Sequence, residues 1–160
     1  MPVAEFARRA ALAGLPVIAV AVLGSLATTP NIPGWYAGLA KPPGTPPNWL
    51  FAPVWSLLYA GMIVAAWRII SRPSGTPGRR LALTVFFVQL VLNGAWSWVF
   101  FAGRNPLLGL VVISALLVAV ALTIRAFRGV DRLAAWLLVP YFAWVLYATW
   151  LNLGIWWLNG

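Results

Sequence analysis

The chain has 160 residues, of which 62% are apolar and only 8% are charged. Soluble domains carry about 25% charged residues, so this composition excludes an ordinary soluble protein and predicts an integral membrane protein. The net charge of +9 would suit a nucleic-acid partner, but the charges fall in breaks between apolar runs. Anionic lipid headgroups lie at such positions, so we expect contact with membrane lipid and no nucleic acid.

Cysteine and histidine are both absent from the chain. Their absence removes thiolate chemistry, the commonest metal ligand and the usual general base. We therefore predict no metal site and no resident cofactor, and conventional hydrolytic catalysis is disfavoured.

Five apolar windows are long enough to cross a membrane, because about 20 residues at 1.5 Å each span roughly 30 Å of hydrocarbon. The windows lie at about 10–28, 50–70, 81–101, 106–124 and 133–157. The predicted fold class is all-α, an integral membrane bundle of five transmembrane helices that forms one domain over residues 1–160. Ser25-Leu26-Ala27 at the end of the first window is similar to a signal-peptidase site, so cleavage that leaves four helices is the alternative.

Two polar residues are predicted to cap helices. Asn105 precedes Pro106 at the start of the fourth window, and Asp131 precedes the fifth. Asparagine and aspartate accept hydrogen bonds from the first free N–H groups of a helix, and proline is tolerated at its first position.

Basic residues are distributed unequally between the two sides of the five-span arrangement. Lys41 and Arg104 lie on one side, against nine arginines on the other: Arg8, Arg9, Arg68, Arg72, Arg79, Arg80, Arg125, Arg128 and Arg132. By the positive-inside rule, this excess predicts a cytoplasmic N-terminus, with the C-terminus on the opposite face.

Residues 29–49 form the one long irregular segment, in which four prolines at positions 42, 43, 46 and 47 stand among aromatic residues. Long loops usually carry function or are disordered. Trp35, Tyr36 and Trp49 argue against disorder, since bulky aromatic residues are depleted in unfolded chains. We predict that this loop is a stiff lid over a ligand pocket.

Polar and aromatic residues share one face in each of three predicted helices. The three faces carry Trp55 and Tyr59; Gln89, Asn93 and Trp96; and Tyr141, Trp144, Ala148 and Asn152. Amide side chains avoid lipid because an unpaired polar group in hydrocarbon costs several kcal/mol, so these faces should point inward. The amides are candidates for ligand contacts or, alternatively, for hydrogen bonds between helices.

The 11 tryptophans are concentrated toward the predicted loop. Trp67 and Trp136 fit an aromatic belt on the opposite side, and Trp144 lies near the middle of its window. The other eight all fall in the half nearest the loop: Trp35, Trp49, Trp55, Trp96, Trp98, Trp150, Trp156 and Trp157. This excess predicts an aromatic-walled cavity that opens toward the loop and binds flat, largely apolar ligands.

Several ordered motifs resemble those of one family. They are Trp35-Tyr36-Ala-Gly-Leu-Ala-Lys41-Pro42, Pro46-Pro47-Asn-Trp49, Pro53-Val-Trp55 with Leu58-Tyr59, Gln89-x3-Asn93-x2-Trp96, Pro140-Tyr141-Phe-Ala-Trp144 and Leu151-Asn152. The chain resembles the TspO/MBR family of tryptophan-rich sensory proteins, which are similar to the mitochondrial translocator protein or peripheral benzodiazepine receptor. The resemblance implies a bacterial cytoplasmic-membrane protein and a five-helix bundle, often a homodimer, that binds porphyrins and, in some members, sterols or benzodiazepine-like drugs.

By the same resemblance, the pocket would be lined by Trp49, Trp55, Tyr59, Asn93, Trp96, Trp144, Ala148 and Asn152, and the loop and inward faces add Trp35, Tyr36, Gln89 and Tyr141 as ligand-binding candidates. Trp55 and Trp144 match the pair implicated in light-dependent protoporphyrin degradation in some members. Gly44 stands where the family's loop has a tryptophan. Leu153 and Trp157 replace the tyrosine and arginine of a sterol-recognition pattern, so no sterol binding is predicted.

The leading hypothesis is a porphyrin-binding membrane protein that acts as a sensor, receptor, regulator or transport-related carrier. The second is an enzyme-like degradation of protoporphyrin IX that requires light and oxygen, with Trp55 and Trp144 as electron donors. Active transport is the weaker third hypothesis, because no ionisable residue lies near mid-membrane, and a purely structural role is the fourth. Lys41 and Arg104 are expected to pair either with porphyrin propionates or with lipid headgroups.

Overall fold

The computed structural model describes residues 2–160, and within that range it is helical and contains no strand. Two π-helical turns, Ile32–Tyr36 and Trp98–Ala102, prolong the first and third spans, and a 3₁₀ turn at Thr29–Asn31 joins α1 to the first of them. Five spans in this range are long and apolar enough to cross a membrane, as the sequence predicts. The α-helices are α1 (Val3–Thr28), α2 (Asn48–Ile70), α3 (Arg79–Ser97), α4 (Pro106–Val130), α5 (Arg132–Leu137) and α6 (Val139–Asn159).

The first span is longer, and the loop shorter, than the sequence indicates. Helix α1 begins at Val3, and its extensions continue to Tyr36, so the irregular segment covers residues 37–47 instead of the expected 29–49. Within this extension, Pro30 and Pro33 each lie in the first positions of a helical turn. The missing N–H of proline costs little there, so the chain stays helical.

The last span is divided into α5 and α6 at Leu138. The backbone angles of Leu138, φ −91° and ψ −8°, depart from those of an ideal α-helix, and Pro140 occupies the first turn of α6. Because proline cannot donate a backbone hydrogen bond, it favours a new helical start at this point. The two pieces together form the fifth span, Arg132–Asn159.

The helices form a closed ring. Helix α1 packs against α2 and α3, α3 against α4, α4 against α6, and α5 against both α4 and α2. A Cβ added at Gly61 would lie 3.3 Å from the carbonyl oxygen of Leu137, which shows how closely α2 approaches α5. The small pair Gly61 and Ala65 therefore serves a contact within the chain, where Ala65 is fully buried.

Both predicted caps are confirmed. The side chain of Asn105 accepts a hydrogen bond of 2.9 Å from the N–H of Leu108. The carboxylate of Asp131 accepts from the N–H groups of Leu133 and Ala134 at 3.0 and 3.1 Å. The two caps fix where α4 and α5 begin.

Asp131 has a second role, which its position in the sequence does not indicate. Its buried carboxylate forms ion pairs with Arg68 at 2.9 Å and Arg72 at 2.7 Å, which join α2 to the start of α5. Burial on its own raises the pKa of Asp131, but the hydrogen bonds from Arg72, the backbone of Ala134 and Arg68 outweigh it and lower the pKa to about 2. The group is therefore ionised at neutral pH.

Further arginines complete the same end of the bundle. Arg9 donates to the carbonyl of Ser71 at 3.1 Å, and Arg79 donates to the carbonyls of Ile69 and Ile70 at 3.2 and 3.0 Å. These guanidinium groups satisfy carbonyls that a helix leaves free at its C-terminus. We call this the arginine-rich end, and the opposite end, which carries residues 37–47, the loop end.

Candidate ligand-binding site

A cavity of about 330 Å³ lies between α1, α2 and α3 in the half of the bundle nearest the loop end. Its volume falls within the roughly 300–1,000 Å³ typical of small-molecule pockets. Most of its large lining residues are aromatic and come from α2, from α3 and from the helical extensions of α1 and α3. They are Tyr36, Phe51, Trp55, Tyr59, Trp96 and Phe101. We call this set the aromatic wall.

The α1 side of the cavity is built from small residues. Ala21, Gly24, Ser25 and Thr28 all line it, and their spacing of three or four residues places them on one helical face. A Cβ added at Gly24 would lie 3.3 Å from the Oγ of Ser97, so α1 approaches α3 closely here. We call these four residues the small-residue wall.

The cavity opens between α1 and α2. Ser25 and Thr29 on the α1 side, and Ala52 and Ser56 on the α2 side, line the cavity and are exposed on the surface of the bundle. The sequence patterns did not indicate that α1 lines the site, and Ser25 was predicted only as part of a possible cleavage pattern. The recurrence of small residues at helical spacing was the signal that could have found this wall.

Trp55 is held in the aromatic wall by other rings. Its centroid lies 5.3 Å from that of Tyr59, with the planes tilted by 31°, and 6.2 Å from that of Tyr141 in an edge contact. Offset and edge arrangements of this kind are the favourable geometries for aromatic pairs. These contacts fix the position of the indole. Tyr59, one of the two residues that contact it, also lines the cavity.

Behind Tyr59, a chain of hydrogen bonds joins α2, α3 and α6. The hydroxyl of Tyr59 donates to Asn93 at 3.1 Å, the amide of Asn93 donates to the hydroxyl of Tyr141 at 3.0 Å, and that hydroxyl donates to Gln89 at 2.8 Å. Asn93, Tyr141 and Gln89 are fully buried. The amides point inward as predicted, and in this structure they bond across helices, one layer behind the cavity.

Trp96 is also fixed by neighbours. Its ring stacks on Phe100 at 5.4 Å, and its indole N–H donates to the side-chain oxygen of Asn152 at 3.1 Å. The amide of Asn152 in turn donates to the carbonyl of Pro106 at 2.8 Å. Asn152 therefore orients a wall residue without lining the cavity itself.

Of the 12 ligand-binding candidates named from the sequence, four lie on the cavity surface: Tyr36, Trp55, Tyr59 and Trp96. The remaining aromatic candidates and Ala148 lie elsewhere. Trp35 packs edge-on against Phe100 at 5.5 Å, and Trp49 is 71% exposed on the surface. Trp144 and Ala148 lie on α6, outside the cavity lining, and Phe51, which does line the cavity, contacts the ring of Trp144 edge-on at 5.9 Å.

The irregular part of the loop, residues 37–47, rests on α6. Asn159 pairs with both the N–H and the carbonyl of Ala40, at 3.0 and 2.9 Å, and Tyr147 donates to the carbonyl of Gly44. None of residues 37–47 lines the cavity, but other residues of the predicted lid segment 29–49 do, namely Thr29, Ile32, Tyr36 and Asn48. A lid role for this segment stays a prediction. Gly44 has φ +84°, a conformation that glycine adopts without steric cost.

The two basic residues of the loop end have partners within the chain. Lys41 donates to the carbonyl of Leu39 at 3.1 Å and lies over the ring of Tyr36, 4.7 Å from its centroid. Arg104 lies 3.4 Å from the side-chain oxygen of Asn31. Tyr36 belongs to the aromatic wall, so the ammonium group of Lys41 places a positive charge next to a residue that lines the cavity.

Five membrane spans around an aromatic-walled cavity define a multi-pass membrane protein with a site of small-molecule size. Over residues 12–158, the sequence matches the model of the TspO/MBR family. The chain belongs to the TspO/MBR family.

Named relatives agree with this assignment. The chain is 43% identical over 145 residues to the tryptophan-rich protein TspO of Archaeoglobus fulgidus, covering 91% of this chain and 93% of the relative. It is 40% identical over 125 residues to the human translocator protein, covering 76% and 73%. It is 37% identical over 118 residues to the tryptophan-rich sensory protein of Cereibacter sphaeroides, covering 74% and 72%. These relationships support a sensory or binding role in a membrane.

Proposed function

We propose that the protein binds a porphyrin-type tetrapyrrole in the cavity and acts as a membrane sensor, regulator or carrier. The observation that carries the proposal is the contrast between the two walls, since aromatic rings line the α2 and α3 side while Ala21, Gly24 and Ser25 line the α1 side. A flat macrocycle can stack on indole and phenol faces where small side chains leave room. Each well-placed aromatic pair contributes about 0.5–1.5 kcal/mol beyond burial of area.

The cation beside the cavity supports an acidic tetrapyrrole. Lys41 lies against Tyr36, so a propionate at the loop end of the cavity would have a positive charge nearby. The opening between α1 and α2 gives an apolar macrocycle a route from the lipid. The names of relatives, tryptophan-rich sensory protein and translocator protein, are consistent with sensing or carrying.

Titration with protoporphyrin IX in detergent tests the proposal, with tryptophan quenching and the porphyrin absorbance band as two readouts. Ser25→Leu would fill the small-residue wall and should weaken binding about tenfold or more, because the added side chain occupies the volume of the ligand. Trp157→Ala is the matched control, since its ring is 78% exposed and lies outside the cavity.

Trp55→Ala should also weaken binding by removing a ring of the aromatic wall. If Ser25→Leu and Trp55→Ala both bind protoporphyrin as the unmodified protein does, the cavity is not the porphyrin site. If neither the protein nor its variants bind protoporphyrin, the proposed ligand class is wrong.

A second candidate function is the degradation of protoporphyrin IX under light and oxygen. The position of Trp55 favours it, because this indole lines the cavity and contacts Tyr59, which begins the buried hydrogen-bonded chain. Trp144 has no such position. Loss of the porphyrin band only in light and oxygen, slowed far more by Trp55→Phe than by Trp144→Phe, would support this function over binding alone.

We also propose that the protein lies in the bacterial cytoplasmic membrane with its N-terminus in the cytoplasm. The support is the nine-to-two excess of basic residues at the arginine-rich end, which the positive-inside rule assigns to the cytoplasm. Reporter fusions at both termini test it, and five spans require the two reporters to lie on opposite sides. An N-terminal reporter outside the cytoplasm would contradict the orientation.

A further inference from the structure

Three buried polar atoms at the arginine-rich end have no hydrogen-bond partner among residues 2–160. They are the indole nitrogen of Trp67, the Nε of Arg68 and the hydroxyl of Ser71. Buried donors are normally satisfied, so three in five consecutive residues call for an acceptor. All three residues line one shallow depression of about 250 Å³, together with Arg72 and Asp131.

The charges of this depression do not cancel. Arg68 and Arg72 each contribute one positive charge and Asp131 one negative charge, which leaves a net charge of +1 among the lining residues. The carboxylate of Asp131 already accepts from both guanidinium groups and from two backbone N–H groups. It therefore has little capacity for the remaining donors, and the Nε of Arg68 is left for another acceptor.

Neighbouring groups strengthen the positive potential. Arg9 and Arg79 donate to backbone carbonyls at the end of α2. The residues that carry these carbonyls lie within three positions of both Arg68 and Arg72 in the sequence. The ring of Trp67 is held edge-on by Phe6 at 6.0 Å, so its N–H has a defined position. The depression lies where the second span, Asn48–Ile70, ends, and the polar region of a bilayer is expected to begin at the end of a span.

We propose that this depression binds the phosphodiester headgroup of a membrane lipid, with Trp67, Arg68 and Ser71 as donors. A phosphodiester carries one negative charge, which matches the net charge of the lining, and its oxygens offer several acceptors to the three donors. Arginine and anionic oxygens form the strong, charge-assisted class of hydrogen bond. Inorganic phosphate shares this chemistry, but the lipid brings the headgroup to the membrane level where the site lies.

Native mass spectrometry of the full chain in detergent tests the proposal with three probes: phosphatidylglycerol, a diacylglycerol with the same acyl chains, and inorganic phosphate. Phosphatidylglycerol should bind about tenfold more tightly than diacylglycerol, which lacks the phosphate. Trp67→Phe keeps a ring against Phe6 but removes the N–H, and should weaken phosphatidylglycerol binding about fivefold. Ser71→Ala should have an effect of similar size.

Trp136→Phe is the matched control, because Trp136 is 69% exposed and lies outside the depression. It should bind phosphatidylglycerol as the unmodified protein does. Melting temperatures of all variants separate loss of a donor from loss of the fold, and Ser71→Ala decides the question if Trp67→Phe does not fold.

Three results would overturn the proposal. Equal binding of phosphatidylglycerol and diacylglycerol would exclude recognition of the phosphate. Unchanged binding in the folded donor variants would exclude this depression. Displacement of phosphatidylglycerol by equimolar inorganic phosphate would assign the site to a soluble anion instead of a lipid.

Discussion

The two ends of the bundle use the same helices in different ways. At the arginine-rich end, small residues such as Gly61 and Ala65 let α2 and α5 approach closely, and Asp131 joins them through charges. At the loop end, α1 and α2 leave a cavity between them, and aromatic contacts and neutral hydrogen bonds hold its wall. One end thus joins its helices by close approach and by ion pairs, while the other leaves a cavity of small-molecule size between them.

The comparison predicts that the largest single loss of stability comes from Asp131→Ala. The change removes the cap of α5 and the partner of two arginines, and hydrogen bonds to charged groups contribute about 1.5–3 kcal/mol. We expect a loss of about 3 kcal/mol, measured by thermal unfolding in detergent. Asp131→Asn retains a capping oxygen and should lose less. Equal stability of Asp131→Ala and the unmodified protein would show that this charge cluster does not hold the arginine-rich end.

Acid should reproduce part of that effect. The pKa of Asp131 is about 2 in the folded protein and 3.8 for the free group, so the carboxylate stabilises the fold at pH above about 4. As the pH falls from about 4 to about 2, the stabilisation, roughly 2 kcal/mol, should be lost. Melting temperature against pH measures it, and Asp131→Asn is the control whose profile should be flatter in this range.

At the loop end, Asn93→Leu should cost less, about 1–2 kcal/mol, because hydrogen bonds between membrane helices are modest but two tyrosine hydroxyls lose their amide partner. Thermal unfolding in detergent again measures the loss. The control is Asn48→Ala, which alters an exposed amide and should change stability by under about 0.5 kcal/mol. A greater loss in Asn93→Leu than in Asp131→Ala would reverse the ranking of the two ends.

The smallest effect is expected from Asn159→Ala. This change removes both hydrogen bonds to Ala40 and should loosen the loop, which Tyr147 still holds at Gly44, without altering the melting temperature. Amide hydrogen exchange in residues 37–47 should accelerate about fivefold, which corresponds to roughly 1 kcal/mol. Leu158→Ala, at an exposed neighbouring position, is the control. Exchange that accelerates equally throughout the bundle would mean that Asn159 supports the whole fold.

The number of spans could be predicted from the sequence, since hydrocarbon leaves few choices to an apolar segment. Helix ends were less predictable: α4 runs to Val130, beyond the expected end at 124, and the last span is divided at Leu138. Asn105 and Asp131 were found as caps because capping depends on residues only two or three positions away. The inward direction of Gln89 and Asn93 followed from the cost of amides in lipid.

Contacts between distant segments were not predictable in this way. The loop is positioned by Tyr147 and Asn159, which lie 103 and 119 residues further along the chain than their partners. The small-residue wall of α1 is marked in the sequence only by the helical spacing of its small residues, and alanine and serine at that spacing are compatible with facing either lipid or a cavity. The ion pairs of Asp131 with Arg68 and Arg72 were not predicted either. The capping role of Asp131 was already a sufficient explanation for an acidic residue at this position.

The ion pairs of Asp131 also bear on the order in which the protein is made. Arg72 is synthesised 59 residues before Asp131, and Arg68 precedes it by 63. The carboxylate that joins α2 to α5 is therefore synthesised only after the residues of the first four spans. The ring of helices can close at this end only after Asp131 and α5 have been synthesised. A chain truncated before residue 131 should therefore leave Arg68 and Arg72 without their carboxylate partner, which would distinguish an incomplete chain from a complete one.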